Sequence, residues 1–133
     1  MTQRTKFKIA VYGLLFVIAC ICLWWFNSII VAKARDYERL ADLKIIQGEL
    51  TAYYYKFNTY KIPACADNTI LNSCISQGQI NFSQISDPLS SGIYQYVIYS
   101  LSDTDYQIGF ALETKMGGLN AGGHIYGKNG VVN

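Results

Sequence analysis

The apolar positions of this chain fall into three patterns, and each predicts a different element. The first is a run, IAVYGLLFVIACICLWWFNSIIVA from Ile9 to Ala32, which holds 24 residues without a charge. As a helix at ~1.5 Å per residue it measures roughly 36 Å, enough to cross a hydrocarbon layer about 30 Å thick. The second is a stripe. Leu40, Leu43, Ile46, Leu50, Tyr53 and Phe57 recur at intervals of three and four, the spacing of one helix face. Asp36, Arg39, Asp42, Lys44 and Glu49 take the face opposite and are expected in solvent. No breaker separates run from stripe, so one helix is expected from about Ile9 to Phe57. Gly48 costs ~1 kcal/mol relative to Ala without interrupting the pattern.

The third pattern lies in the last third. Ile93–Ser100 (IYQYVIYS) and Tyr106–Glu113 (YQIGFALE) are rich in aromatic and β-branched residues, with the polar turn SDTD between them. They predict an antiparallel hairpin. Tyr106, Ile108, Phe110 and Leu112 share one face of its second strand. A lone hairpin is marginal in water, so its apolar face and the helix stripe are expected to bury each other. Asn58 to Pro63 ends the helix, because proline disfavours helical geometry at the residue before it. Residues 64–92 read as loop with one short helical turn, and Asp87-Pro88 followed by Ser90-Ser91-Gly92 is turn chemistry. In the glycine-rich tail, His124–Tyr126 before Asn129-Gly130 reads as a third, edge strand with a tight turn, against the alternative of a mobile tail. The organisation expected is therefore a basic stub at 1–8, an anchor at 9–32, an amphipathic continuation at 33–58, a loop region at 59–92, and sheet with tail at 93–133. The fold class is α+β.

Composition changes this picture little. The chain is 51% hydrophobic, and the anchor supplies most of the excess. About 100 residues remain for one small domain. A net charge of +2, with no Lys/Arg run longer than two, argues against a nucleic-acid partner. Arg4, Lys6 and Lys8 precede the apolar run, while Lys33 and Arg35 follow it. The balance places the N-terminus in the cytoplasm and the domain outside it, with the bilayer as first partner. Trp24 and Trp25 sit in the second half of the run, where amphipathic rings favour the headgroup zone. A cleaved signal peptide has an apolar core of about 7–15 residues, shorter than this one. Ala19-Cys20 loosely resembles a lipoprotein acylation site, but the chain stays apolar for a dozen residues beyond it.

Chemistry is sparse. His124 is the chain's one histidine and has no evident nucleophile to serve, so no catalytic site is assigned. Cys65 and Cys74 lie in the loop region. On the exported side a disulfide between them closes a short loop, and in a reducing compartment they stay free thiols. Cys20 and Cys22 sit inside the apolar run. No cofactor is expected.

Together these features resemble a family. Ala34-Arg35-Asp36, Arg39-Leu40-Ala41-Asp42-Leu43, Ile46-Gln47, Leu50 and Tyr53-Tyr54 are similar to a run found in type IV pilins, and above all in the major pseudopilin of type II secretion. Asn58, Tyr60 and Pro63 resemble the close of that run. Asp87-Pro88-Leu89 and Gly92-x-Tyr94-x-Tyr96 resemble the family's lead into its sheet. The resemblance covers about residues 33–113. It implies a long helix on a small antiparallel sheet, and a structural subunit held in the inner membrane before its helix packs with others in a pilus-like filament. The Cys65–Cys74 spacing fits many bacterial members. Some major pseudopilins hold calcium in a C-terminal loop, which makes Asp103 and Asp105 minor candidates as oxygen donors. The leader departs from the pattern. Lys6-Phe7-Lys8-Ile9 stands where the family has its cleavage motif, and no acid occurs from Met1 to Ala32. The alternative is therefore an anchored protein that keeps a pilin-type domain for binding or scaffolding without polymerising.

Overall fold

A computed structural model describes residues 3–76 and 78–132, and for residues 3–7, 9 and 10 the backbone alone. One α-helix, α1, runs unbroken over Gln3–Phe57, 55 residues and about 80 Å at ~1.5 Å per residue. It begins inside the segment read as a stub, since Arg and Lys are good helix formers and nothing before Ile9 breaks the chain. Met1 and Thr2 lie outside the described residues. The helix ends at Asn58, whose left-handed φ of 55° suits a short polar side chain and whose N–H donates to the Tyr54 carbonyl at 2.7 Å.

The loop region is more ordered than its composition suggests. It contains β1 (Thr69–Ile70), a 3-10 turn at Leu71–Ser73, and a small hairpin of β2 (Ile75–Ser76) with β3 (Ile80–Asn81). The main hairpin follows as β4 (Val97–Leu101) and β5 (Tyr106–Leu112), joined through residues 102–105 as expected. Its first strand starts four residues later than the pattern suggested. Ser91 and Tyr94 are bridged in a turn around Gly92, which has a φ of 59°. The tail forms β6 (Gly122–Gly127) and β7 (Gly130–Val132), with Gly130 at a φ of 106° after the turn. The sheet is antiparallel in the order β1-β4-β5-β6-β7. His124–Tyr126 therefore lies in an inner strand, and β7 forms the edge. Between Ile98 and Ser100 the β4–β5 register slips at a bulge. Tyr99, displaced there, lies over Gly109, where an added Cβ would meet its ring at 2.6 Å.

The core sits between sheet and helix. Leu43, Ile46, Leu50 and Tyr53 of α1 are buried with Tyr96 and Ile98 and with Tyr106, Ile108, Phe110 and Leu112. This is the α+β arrangement of one long helix against a small antiparallel sheet. Leu40 is only partly buried. Phe57 departs from the expected stripe, at 36% exposure. At the helix end its ring lies 4.5 Å from the Tyr53 ring and 5.1 Å from the Lys56 ammonium.

Candidate functional site at the junction of anchor and head

Two surfaces of α1 are exposed. From Val11 to Val31 every residue is exposed, among them Trp24 and Trp25 at 73% and 66%. This part of the helix is long and apolar enough to cross a membrane. Ala32, which ends the run, is the first residue partly covered. Ile9 lies on the helix, but its side chain falls outside the described ones. Beyond the run, the head covers one face. The other presents Ala34, Tyr37, Ala41, Ile45, Gly48 and Tyr55, all exposed.

Where the head begins, the expected solvent face is overturned. Asp36 and Arg39 are fully buried. The Arg39 guanidinium donates through Nε and Nη2 to both oxygens of Asp87, through Nη1 to Asp36 Oδ1 at 2.7 Å, and through Nη1 to Glu113 Oε1 at 2.7 Å. Arg35 grips Glu113 from outside with Nε and Nη2. Asp36 also accepts the Glu113 N–H at 2.9 Å, the Thr114 N–H at 2.8 Å and the Thr114 hydroxyl at 2.7 Å. Tyr94 lies under the guanidinium, with its ring centre 4.9 Å away. Two guanidinium and three carboxylate groups thus close one end of the sheet onto the helix, with one negative charge in excess. A buried charge is costly unless it is paired and hydrogen-bonded, and here each one is.

The electrostatics follow from the contacts. Burial opposes ionisation of Asp36, but the donors from Glu113, Thr114 and Arg39 outweigh it and hold its carboxyl below the usual carboxylate range. Glu113 is lowered chiefly by its bonds from Arg35, against its partial burial. Arg39 is desolvated, yet its three carboxylates fix it as a cation. One turn along, Asp42 behaves differently. Burial raises its pKa, with the charges of Glu38 and Asp87 adding, and the Tyr96 hydroxyl that donates to it at 2.9 Å compensates only in part. Lys44 and Glu49 are exposed as expected.

Cys65 and Cys74 are joined in a disulfide, with Cα atoms 4.8 Å apart. Asp103 and Asp105 are committed elsewhere. Asp103 accepts from the Thr59 hydroxyl at 2.9 Å and faces Lys61 Nζ at 3.4 Å, and Asp105 accepts the N–H of Tyr106. Among the described residues no group of three or more His, Cys, Asp or Glu side chains is placed to hold a metal ion. His124 packs on Phe110, ring centres 5.4 Å apart, and its Nε2 is 2.8 Å from the Asn120 carbonyl oxygen. Comparison with family models, with curated proteins and with solved structures returns no match.

Proposed function

We propose that this chain is a structural subunit of a pilus-like or pseudopilus-like filament, held in the inner membrane by α1 before assembly. Its N-terminus faces the cytoplasm and its head lies outside. The observation that carries this reading is the use of α1. One unbroken helix is open on all sides over a membrane-length segment, then open on one face while the head packs on the other. Such a helix meets lipid first and neighbouring helices later without refolding. The open face, with Tyr37, Ile45 and Tyr55 beside Ala34, Ala41 and Gly48, offers apolar surface to another helix. The sequence resemblance supports the same reading. Its test is to shear cells that make the chain, pellet the released material and probe it. Pelleted filaments that contain the chain are expected. A chain confined to the membrane as a monomer would overturn the proposal. The second reading, an anchored and non-polymerising binding or scaffold protein, is favoured by one observation: no acidic side chain occurs from Met1 to Ala32. A buried carboxylate in lipid is kept when it has work to do, and this anchor has none.

A further inference from the structure

The lower end of the sheet contains a feature that neither the anchor nor the ion-pair cluster uses. β5 begins beside the far end of α1, where the Tyr106 ring packs on Tyr60 at 5.1 Å. It runs back along the helix until Glu113 and Thr114 bond to Asp36. The chain then bends at Glu113 and Thr114, reverses, and returns as β6 from Gly122. The reversal is a tight turn. Met116 and Leu119 exchange backbone hydrogen bonds of 3.0 and 2.9 Å around Gly117 and Gly118, whose φ angles are 58° and 85°. Two successive positive φ angles are what a type I′ turn requires, and glycine meets them without strain.

This turn lies at the level where the apolar run ends. Asp36 stands four residues from Ala32, about 6 Å at ~1.5 Å per helical residue. Thr114, next to Lys115, bonds to that same Asp36. Ala32 is the first partly covered residue after twenty-one exposed ones. Lys115 at the entry to the turn and Lys33 on the helix are both exposed, and neither has an ion-pair partner among the described residues. The nearby guanidinium groups of Arg35 and Arg39 are already neutralised by carboxylates. The two free ammonium groups at this end of the head therefore lie beside the plane where lipid phosphates begin.

We propose that the turn Lys115–Asn120 is a second membrane contact. It rests in the headgroup layer, with Lys115 and Lys33 on lipid phosphates and the exposed Gly117-Gly118 tip turned toward the bilayer, while Met116 and Leu119 pack inward on the core. The head then stands on the bilayer at two points, helix and turn. That fixes the rotation of α1 about its own axis and decides which helix face a neighbour meets. The proposal rests on residues 9–32 spanning the bilayer, and its test separates the two.

The full chain, with Cys20 and Cys22 replaced by Ser and the Cys65–Cys74 disulfide intact, is placed in vesicles of phosphatidylcholine and phosphatidylglycerol. Asn120→Cys is labelled with a fluorophore, and Thr104→Cys at the far end of the sheet is labelled in a parallel sample. Nitroxide lipids carrying the label on the headgroup are expected to quench position 120 at least twofold more than position 104. Lys115→Glu is expected to reduce that difference. Equal quenching at the two positions would overturn the proposal, and so would a difference that disappears on dilution with lipid, which would mark contact with a second copy. Trp24 and Trp25, the chain's two tryptophans, report the span itself through acyl-chain nitroxides. Tryptophans quenched while position 120 is not would remove only the turn contact. Unquenched tryptophans would remove the span, and the turn contact with it.

Discussion

Residues 11–31 and residues 36–57 belong to one helix and meet their surroundings by different rules. The first segment is exposed at every position, so its environment is the same all round. Its backbone hydrogen bonds close within the helix, so it asks of its surroundings only that they be apolar. The second segment is buried at Asp36, Arg39, Leu43, Ile46, Leu50 and Tyr53 and open between them. It depends on a head tied to it at three levels. At the junction the tie is ionic, through Arg39. Midway it is apolar, with Gln47 bonding the Tyr126 hydroxyl and the Lys128 carbonyl. At the far end it is aromatic, where Tyr60 stacks on Tyr54 at 4.6 Å. Thus residues 11–31 keep their own structure without the head, whereas the head cannot leave α1.

The largest break in this comparison is Arg39→Ala. Removing the cation leaves Asp36 and Asp87 buried and short of partners, and such losses cost about 3–5 kcal/mol. Denaturation of the full chain in detergent, followed by near-UV circular dichroism, should show that loss while the helical signal of the anchor persists. Arg39→Lys should recover little, because an ammonium cannot bond both Asp87 oxygens and reach Glu113 as a planar fork does. A loss below ~1 kcal/mol for Arg39→Ala would mean that water replaces the guanidinium and the junction is not tight.

Next come the two isoleucines. Ile46 is fully buried and Ile18 is 48% exposed. Ile46→Ala should destabilise the head by roughly 3 kcal/mol through lost transfer energy and a residual cavity. In the same detergent assay Ile18→Ala should leave head unfolding unchanged. Equal effects would mean that the two segments unfold as one unit.

That contrast also explains what the sequence revealed. The long apolar helix, the stripe from Leu43 to Tyr53, the 102–105 hairpin turn and the Asn58 stop were legible because each is written in neighbouring residues. The buried ion pairs were not. Asp36 and Arg39 look like solvated charges, and the partners that bury them, Asp87 and Glu113, lie 48 and 74 residues from Arg39. Helical spacing places Asp36 and Arg39 together but says nothing of what descends on them. The late start of β4 was hidden for a related reason. Ile93–Tyr96 has strand-like composition, but Gly92 turns the chain and Tyr96 is drawn toward Asp42.

Reduction of the Cys65–Cys74 bond should be the third effect. By the chain-entropy account a loop of this size, with a sequence separation of 9, contributes on the order of 2–3 kcal/mol. The cost should fall on the head alone, read as a lower denaturation midpoint after reduction and alkylation. Tyr106→Phe should act in the opposite direction. The Tyr106 hydroxyl is buried with no hydrogen-bond partner among the described residues, so its removal is expected to be neutral or to stabilise by up to ~1 kcal/mol. A destabilised Phe variant would reveal a bridging water.

The smallest effect is a matter of sign between Asp36 and Asp42, six residues apart on one helix. The pKa values of Asp36 and Glu113 are held below their ordinary 3.8 and 4.5, so their stabilisation is complete above those values and is lost as pH falls through the lowered ones. Asp42 is raised above 3.8, so the folded state takes up its proton first. As pH falls from neutral, protonation of Asp42 should therefore add stability before the junction acids begin to remove it. A shallow maximum on the acid side is expected, small because Asp42 is half open to water. Asp42→Asn, whose amide oxygen still accepts from the Tyr96 hydroxyl, should erase the rise and keep the acid loss. Asp36→Asn should weaken the acid loss and keep the rise, at a stability that is lower throughout. If both variants move the same limb of the profile, the ionic junction and the Asp42 site titrate as one cluster, and the boundary drawn between them along α1 is misplaced.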